Sequence, residues 1–171
     1  IPPHDIEAEQ AILGSMLTDK DAVIAAIEVL KDDSFYREDN KLIFGAITNL
    51  YSRNEPIDII TVKAELVELG QLDRVGGLEY LVELPERVPT TANVERYIKI
   101  VDEKAMLRKL ITTSNELIAL GFDESENVDN IMDMAEKTDS VLADYAADFS
   151  DDIMKRAERH DESKLHEPEK E

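Results

Sequence analysis

Residues 54–70 read NEPIDIITVKAELVELG, and whether they form a strand or a helix decides the fold class. DIITV alone is short and β-branched, and in isolation it reads as a strand. Its continuation points the other way. Val62, Leu66 and Leu69 recur at helical spacing, Pro56 stops the preceding element, Asp58 or Thr61 can cap the new one, and Gly70 stands where a helix ends in glycine. The segment is predicted to be a helix, and the chain all-α.

The pattern holds on both sides. In IPPHDIEAEQAILGSML, residues 1–17, Pro2 and Pro3 keep the backbone extended, so the first helix starts at about Asp5, its natural N-cap. Ala8, Ile12, Leu13, Met16 and Leu17 form its apolar face, and Glu7 and Glu9 read as solvated partners of the helix dipole. A second helix from Asp19 or Asp21 carries Val23, Ile24, Ile27 and Leu30, and LKDDSFYREDN breaks it. A third carries Leu42, Ile43, Ala46, Ile47 and Leu50 and closes near Asn54. Beyond Gly70, Gly76 and Gly77 turn into LEYLVEL, a short helix expected to end at Pro85. Its Tyr80 reads mainly as a core residue beside Leu78, Leu81 and Leu84. The longest helical stretch is expected from about Thr91 to Leu120, with Thr90 or Thr91 as its cap.

The second half changes character. Leu107, Leu110, Ile111, Leu117 and Ile118 line one long helix, Val128, Ile131, Ala135, Leu142 and Tyr145 line another, and GFDESEN joins them. A short connection makes the two antiparallel neighbours. A hairpin alone has too little core to stand by itself, so it must pack on the preceding domain or on a second copy. The expected organisation is a compact globular helical domain over 1–102, a long antiparallel helical hairpin over 103–149, and a charged linker over 150–171 read as a solvated helix fraying into a disordered tail.

Composition narrows the function. The 171 residues carry 39 acidic and 19 basic side chains, a formal net charge of -20. Phosphate backbones are held mainly by Lys and Arg, so strong direct DNA binding is not expected and a basic protein partner suits the chain better. No apolar run is long enough for a membrane span, and there are no cysteines, so the expected setting is the cytoplasm, away from membranes. No glycine is followed by lysine, which leaves no phosphate-binding loop. The three histidines, His4, His160 and His166, form no Glu-x-x-His or HExxH pattern and offer no base to a serine or threonine nucleophile. The chain is read as holding no active site, cofactor or metal.

Four ordered blocks then carry a resemblance: IPPHDIEAEQAILGSML (1–17), DSFYREDNKLIFGAITNLY (33–51), EPIDIITVKAELVELGQLDRVGGLEYLVEL (55–84) and VPTTANVERYIKIVDEKAMLRKLI (88–111). In that order they resemble the N-terminal domain of bacterial replicative DNA helicases of the DnaB type. The match is close to about Leu120 and looser through NVDNIMDMAEK (127–137). The resemblance implies hairpins that pair between subunits, N-terminal domains forming a trimer-of-dimers collar on a hexameric ring, and docking of the primase C-terminal domain. A helicase loader is a further candidate partner. ATP and magnesium would belong to a motor domain that this chain lacks, and the chain could be a fragment, a truncated form or a paralogue.

If the primase surface carries over, Glu7, Tyr80, Ile111 and Leu117 are the docking candidates. Leu107, Leu110, Ile118, Val128, Ile131 and Leu142 are the candidates for self-association. Two other classes stay open: a freestanding acidic helical regulator that binds a basic partner, and an enzyme built in a helical bundle.

Overall fold

A computed structural model describes residues 1–164. Among these residues the chain is all-helical, with seven α-helices, three short 3-10 turns and no strand. The α-helices are α1 (Ile6–Met16), α2 (Lys20–Val29), α3 (Glu38–Ser52), α4 (Ile59–Glu68), α5 (Gly77–Glu86), α6 (Val94–Gly121) and α7 (Val128–Lys164). They form two compact units, Ile1–Leu107 and a second from Arg108 onward, so the division falls inside α6.

Local chemistry sets the helix ends. Asp5 caps α1 by accepting from the Ala8 amide, and Asp19 caps α2 by accepting from the Asp21 amide. At α4, Asp58 and Thr61 act together in a reciprocal capping box, so the strand-like DIITV is the first turn of a helix. That helix ends on Gly70, at φ +66°, with Gly70 N–H donating to Val67 O and Gln71 N–H to Leu66 O. Three details differ from the sequence expectation. Pro85 does not end α5, because in the last turn only one intrahelical bond is lost and the helix runs on to Glu86. Leu69 and Leu78 face solvent rather than the core. The longest helix is α7, not α6: it continues through 150–164, while the expected tail over 165–171 lies outside the described residues.

In the globular unit, Ile12, Leu13 and Met16 of α1 meet Ile43, Phe44, Ile47 and Leu50 of α3, Leu66 of α4, and Leu81 and Leu84 of α5 in one buried cluster. The Phe35 and Phe44 rings lie 4.8 Å apart within it. Each fully buried Leu, Ile or Phe contributes about 1.5–3 kcal/mol. The start of α6 closes the unit through Val94, Ile98, Val101 and Ala105, spaced by three and four and all buried. Two contacts fix how the helices approach. A Cβ on Gly14 would lie 2.2 Å from the Leu84 carbonyl oxygen, so only glycine allows α1 and α5 to touch there. Between α3 and α4, Arg53 donates to the buried Glu65 carboxylate at 2.6 Å and Asn49 adds a bond at 3.3 Å.

Gly14→Ala must push α1 off α5 and should cost about 1–3 kcal/mol, read as a lowered urea midpoint. The Arg53 guanidinium, aided by Asn49, holds the Glu65 carboxyl below the ordinary glutamate range. A lowered folded-state pKa means the pair stabilises the fold above about pH 4.3 and that this contribution is lost as pH falls through the depressed value. Arg53→Met should therefore lower the melting temperature at pH 7, and the gap to the parent chain should shrink in acid.

Candidate functional site

The sequence points to two surfaces, one around Tyr80 in the globular unit and one along the hairpin. Around Tyr80 the structure places a polar chain that begins inside the core. Glu9 is 1% exposed. Its carboxylate accepts from the backbone N–H of Tyr36 at 2.6 Å, from that of Arg37 at 3.4 Å, and from Asn40 Nδ2 at 2.9 Å. The reading of Glu9 as a solvated dipole partner of its own helix is thus corrected. Arg37, the N-cap of α3, makes no side-chain cap bond, and Glu9 from α1 supplies the acceptor that the positive end of α3 needs.

From Glu9 the chain runs outward. Tyr80 donates its hydroxyl to Asn40 Oδ1 at 2.6 Å, Gln10 Nε2 donates to the Tyr80 oxygen at 3.1 Å, and Arg87 Nη1 donates to Gln10 Oε1 at 3.4 Å. Every bond points the same way, from guanidinium to carboxylate, so each polarises the next. Burial pushes the Tyr80 phenol up, which keeps it a donor. Arg37, paired with Asp39, lies over the Tyr80 ring at 5.4 Å, and the His4 ring stacks on Tyr36 at 4.2 Å. Tyr80 is half-buried, packs against the core and has its hydroxyl engaged within this network. Glu7 lies exposed on α1, outside this network.

The second unit holds the hairpin. Lys109 of α6 lies 4.2 Å above the ring of Tyr145 of α7, so the two helices fold back on each other across the loop 122–127. On α6, Leu110 and Ile111 are each 44% exposed and Ile118 is 58% exposed. Spacings of seven and eight residues put these side chains on one stripe. Leu107, just before them on the same helix, is equally exposed. Leu117 is half-buried instead. On α7, Ile131 and Leu142 are half-buried and Val128 is exposed. Ile111, read as a docking residue, therefore shares a stripe with residues read for pairing, and so does Leu117, seven residues after Leu110, although Leu117 is the more buried.

Among the described residues, no group of three or more His, Asp or Glu side chains is placed to hold a metal ion, and no helix is long and apolar enough to cross a membrane. The residues that sequence reasoning missed are Glu9, Gln10 and Asn40. For Glu9 a signal existed: it stands three, four and seven residues before Ile12, Leu13 and Met16, in the middle of the apolar stripe. Glu9→Gln keeps one acceptor but turns an amide toward other donors, and it should cost about 1.5–3 kcal/mol in urea unfolding. Glu7→Gln should stay within about 0.5 kcal/mol of the parent chain in the same assay.

The family model for the DnaB-like helicase N-terminal domain matches residues 1–103. The replicative DNA helicase DnaB of Geobacillus stearothermophilus is 44% identical over 137 residues, which is 80% of this chain and 30% of that protein. The chain thus spans less than a third of that relative. The N-terminal domain of DnaB helicase from Mycobacterium tuberculosis superimposes with a TM-score of 0.78 at 40% identity, covering 83% of this chain and 99% of that domain. A DnaB-like replicative helicase, described structurally with its interactions with primase, superimposes with a TM-score of 0.67 at 25% identity, covering 81% of this chain and 31% of that one.

Proposed function

The chain belongs to the DnaB-like helicase N-terminal domain family, and from that premise we propose that it is the non-catalytic assembly and primase-docking module of a hexameric replicative helicase. The observation that carries this reading is the exposed stripe of Leu110, Ile111 and Ile118 on α6. A helix that leaves such a stripe in water gains about 25 cal/mol for each Å² of apolar surface it covers, and a second hairpin offers the matching surface. Pairing of hairpins builds dimers, and dimers of the globular units build the collar. ATP hydrolysis and strand separation fall to the portion of the relatives outside the matched region.

Docking of the primase C-terminal domain draws on the similarity to a helicase described with its primase interactions. In this reading Tyr80 contributes ring surface, Ile111 and Leu117 contribute apolar contact on the hairpin, and Glu7 contributes an exposed carboxylate. The excess of acid favours one second reading, a regulator of a basic protein.

Light scattering across a concentration series, with and without the cognate primase C-terminal domain, tests the proposal. Dimers or larger assemblies that take up the primase domain are expected. Serine at positions 110, 111 and 118 together should reduce the mass toward that of a monomer with helicity intact. Combining Tyr80→Ala with Ile111→Ala should weaken uptake at least about tenfold, or 1.4 kcal/mol. A strict monomer that ignores primase but binds a basic protein would overturn the collar reading in favour of the regulator.

A further inference from the structure

The tip of the hairpin has a chemistry of its own. Phe122 is 83% exposed, Val128 73% and Met132 55%. Val128 and Met132 are one helical turn apart on the same face of α7, and Phe122 directly follows the end of α6. The loop between them is braced from within. Asp123 accepts from the Ser125 amide at 2.9 Å, Asn127 accepts from the Asn130 amide at 2.9 Å, and the Phe122 amide donates to Ala119 O at 3.2 Å. None of these bonds gives the Phe122 ring any cover.

The charge around this apolar group has one sign. From Leu110 to Glu136 there is no Lys or Arg, and six carboxylates follow Phe122: Asp123, Glu124, Glu126, Asp129, Asp133 and Glu136. A second copy of the same tip would bring like charge against like charge. Arg37, Arg53, Arg74 and Arg87 of the globular unit are held in ion pairs with Asp39, Glu65, Glu38 and Glu83. Nucleic acid has the wrong sign.

We propose that the hairpin tip is a docking site for a basic amphipathic helix of another protein, whose apolar stripe covers Phe122, Val128 and Met132 while flanking Lys or Arg side chains meet the acidic rim. This is a helix-on-apolar-surface mode, with the rim charges setting orientation and selecting against acidic partners. It is independent of primase docking, and it gives Val128 a heterologous partner in place of the pairing role read from sequence.

The probe is a synthetic leucine–lysine amphipathic helix about five turns long, compared with a peptide of the same composition whose apolar stripe has been scrambled. Both are titrated into the full chain by calorimetry, and hydrogen exchange maps the contact. The patterned peptide should bind one per chain and protect residues within 118–136. Phe122→Ser with Met132→Ser should weaken it at least about tenfold, with helicity unchanged because both side chains are exposed. Equal binding of the scrambled peptide, protection spread over all the acidic helices, or undiminished binding by the double variant would reduce the tip to a nonspecific acidic surface and overturn the proposal. Protection of the tip in the free chain that disappears on dilution would overturn it in favour of a second copy.

Discussion

A carboxylate placed inside an apolar stripe organises the globular unit. Glu9 is embedded in α1 among residues that pack, yet it remains hydrogen-bonded because the backbone N–H groups of Tyr36 and Arg37, just before α3, and the Asn40 side chain all donate to its carboxylate. Each element removes the other's desolvation cost. An uncompensated buried carboxylate would be expensive, and so would an uncapped helix start turned toward the core. The pairing fixes the register of α1 against α3. Through Asn40 and Tyr80 it also reaches α5, which Gly14 allows to lie against α1 at backbone distance. Polar and steric constraints thus act on the same helix from two points along its length.

The helical hairpin follows a different logic. Along α6 the buried row Val94, Ile98, Val101 and Ala105 reads on into charge at Arg108, and the compact globular unit ends beside it at Leu107. Beyond that point the helix exposes apolar residues that one chain leaves uncovered. The globular unit is complete in hydrogen bonds and packing, whereas the hairpin carries apolar surface suited to association. The polar groups of the network are used in holding helices together, and the uncovered surface lies on the hairpin that the proposed assembly role would employ.

Much of the fold was legible because its signals are local. Asp5, Asp19 and Asp58 announce helix starts, Gly70 announces an end, and the three-four spacing of apolar residues resolves DIITV as helix. What stayed hidden depends on partners distant in sequence. Asn40 sits 31 residues from Glu9 and 40 from Tyr80, and nothing in the neighbourhood of either residue announces those bonds. Pro85 misled for a related reason, since a proline in the last helical turn breaks too little to stop the helix. On the candidate surfaces the sequence shows which residues are apolar, but the exposure of Ile111 and the partial burial of Leu117 depend on how α6 turns against its neighbours.

The direction of the bonds from Arg87 to Glu9 has a further meaning. Gln10 and Asn40 each have a donor end and an acceptor end, and the chain of bonds uses both ends of each. Turning Gln10 over sets its amide N–H against the Arg87 donor, and turning Asn40 over sets its oxygen against the Glu9 carboxylate, whereas the Tyr80 hydroxyl between them can donate or accept. The sense of each amide is therefore set by a charge, a cation at Gln10 and an anion at Asn40. Where most packing in the core yields gradually to strain, a misplaced amide here meets a like-signed group, so the thread favours one arrangement of α1, α3 and α5 over its close neighbours.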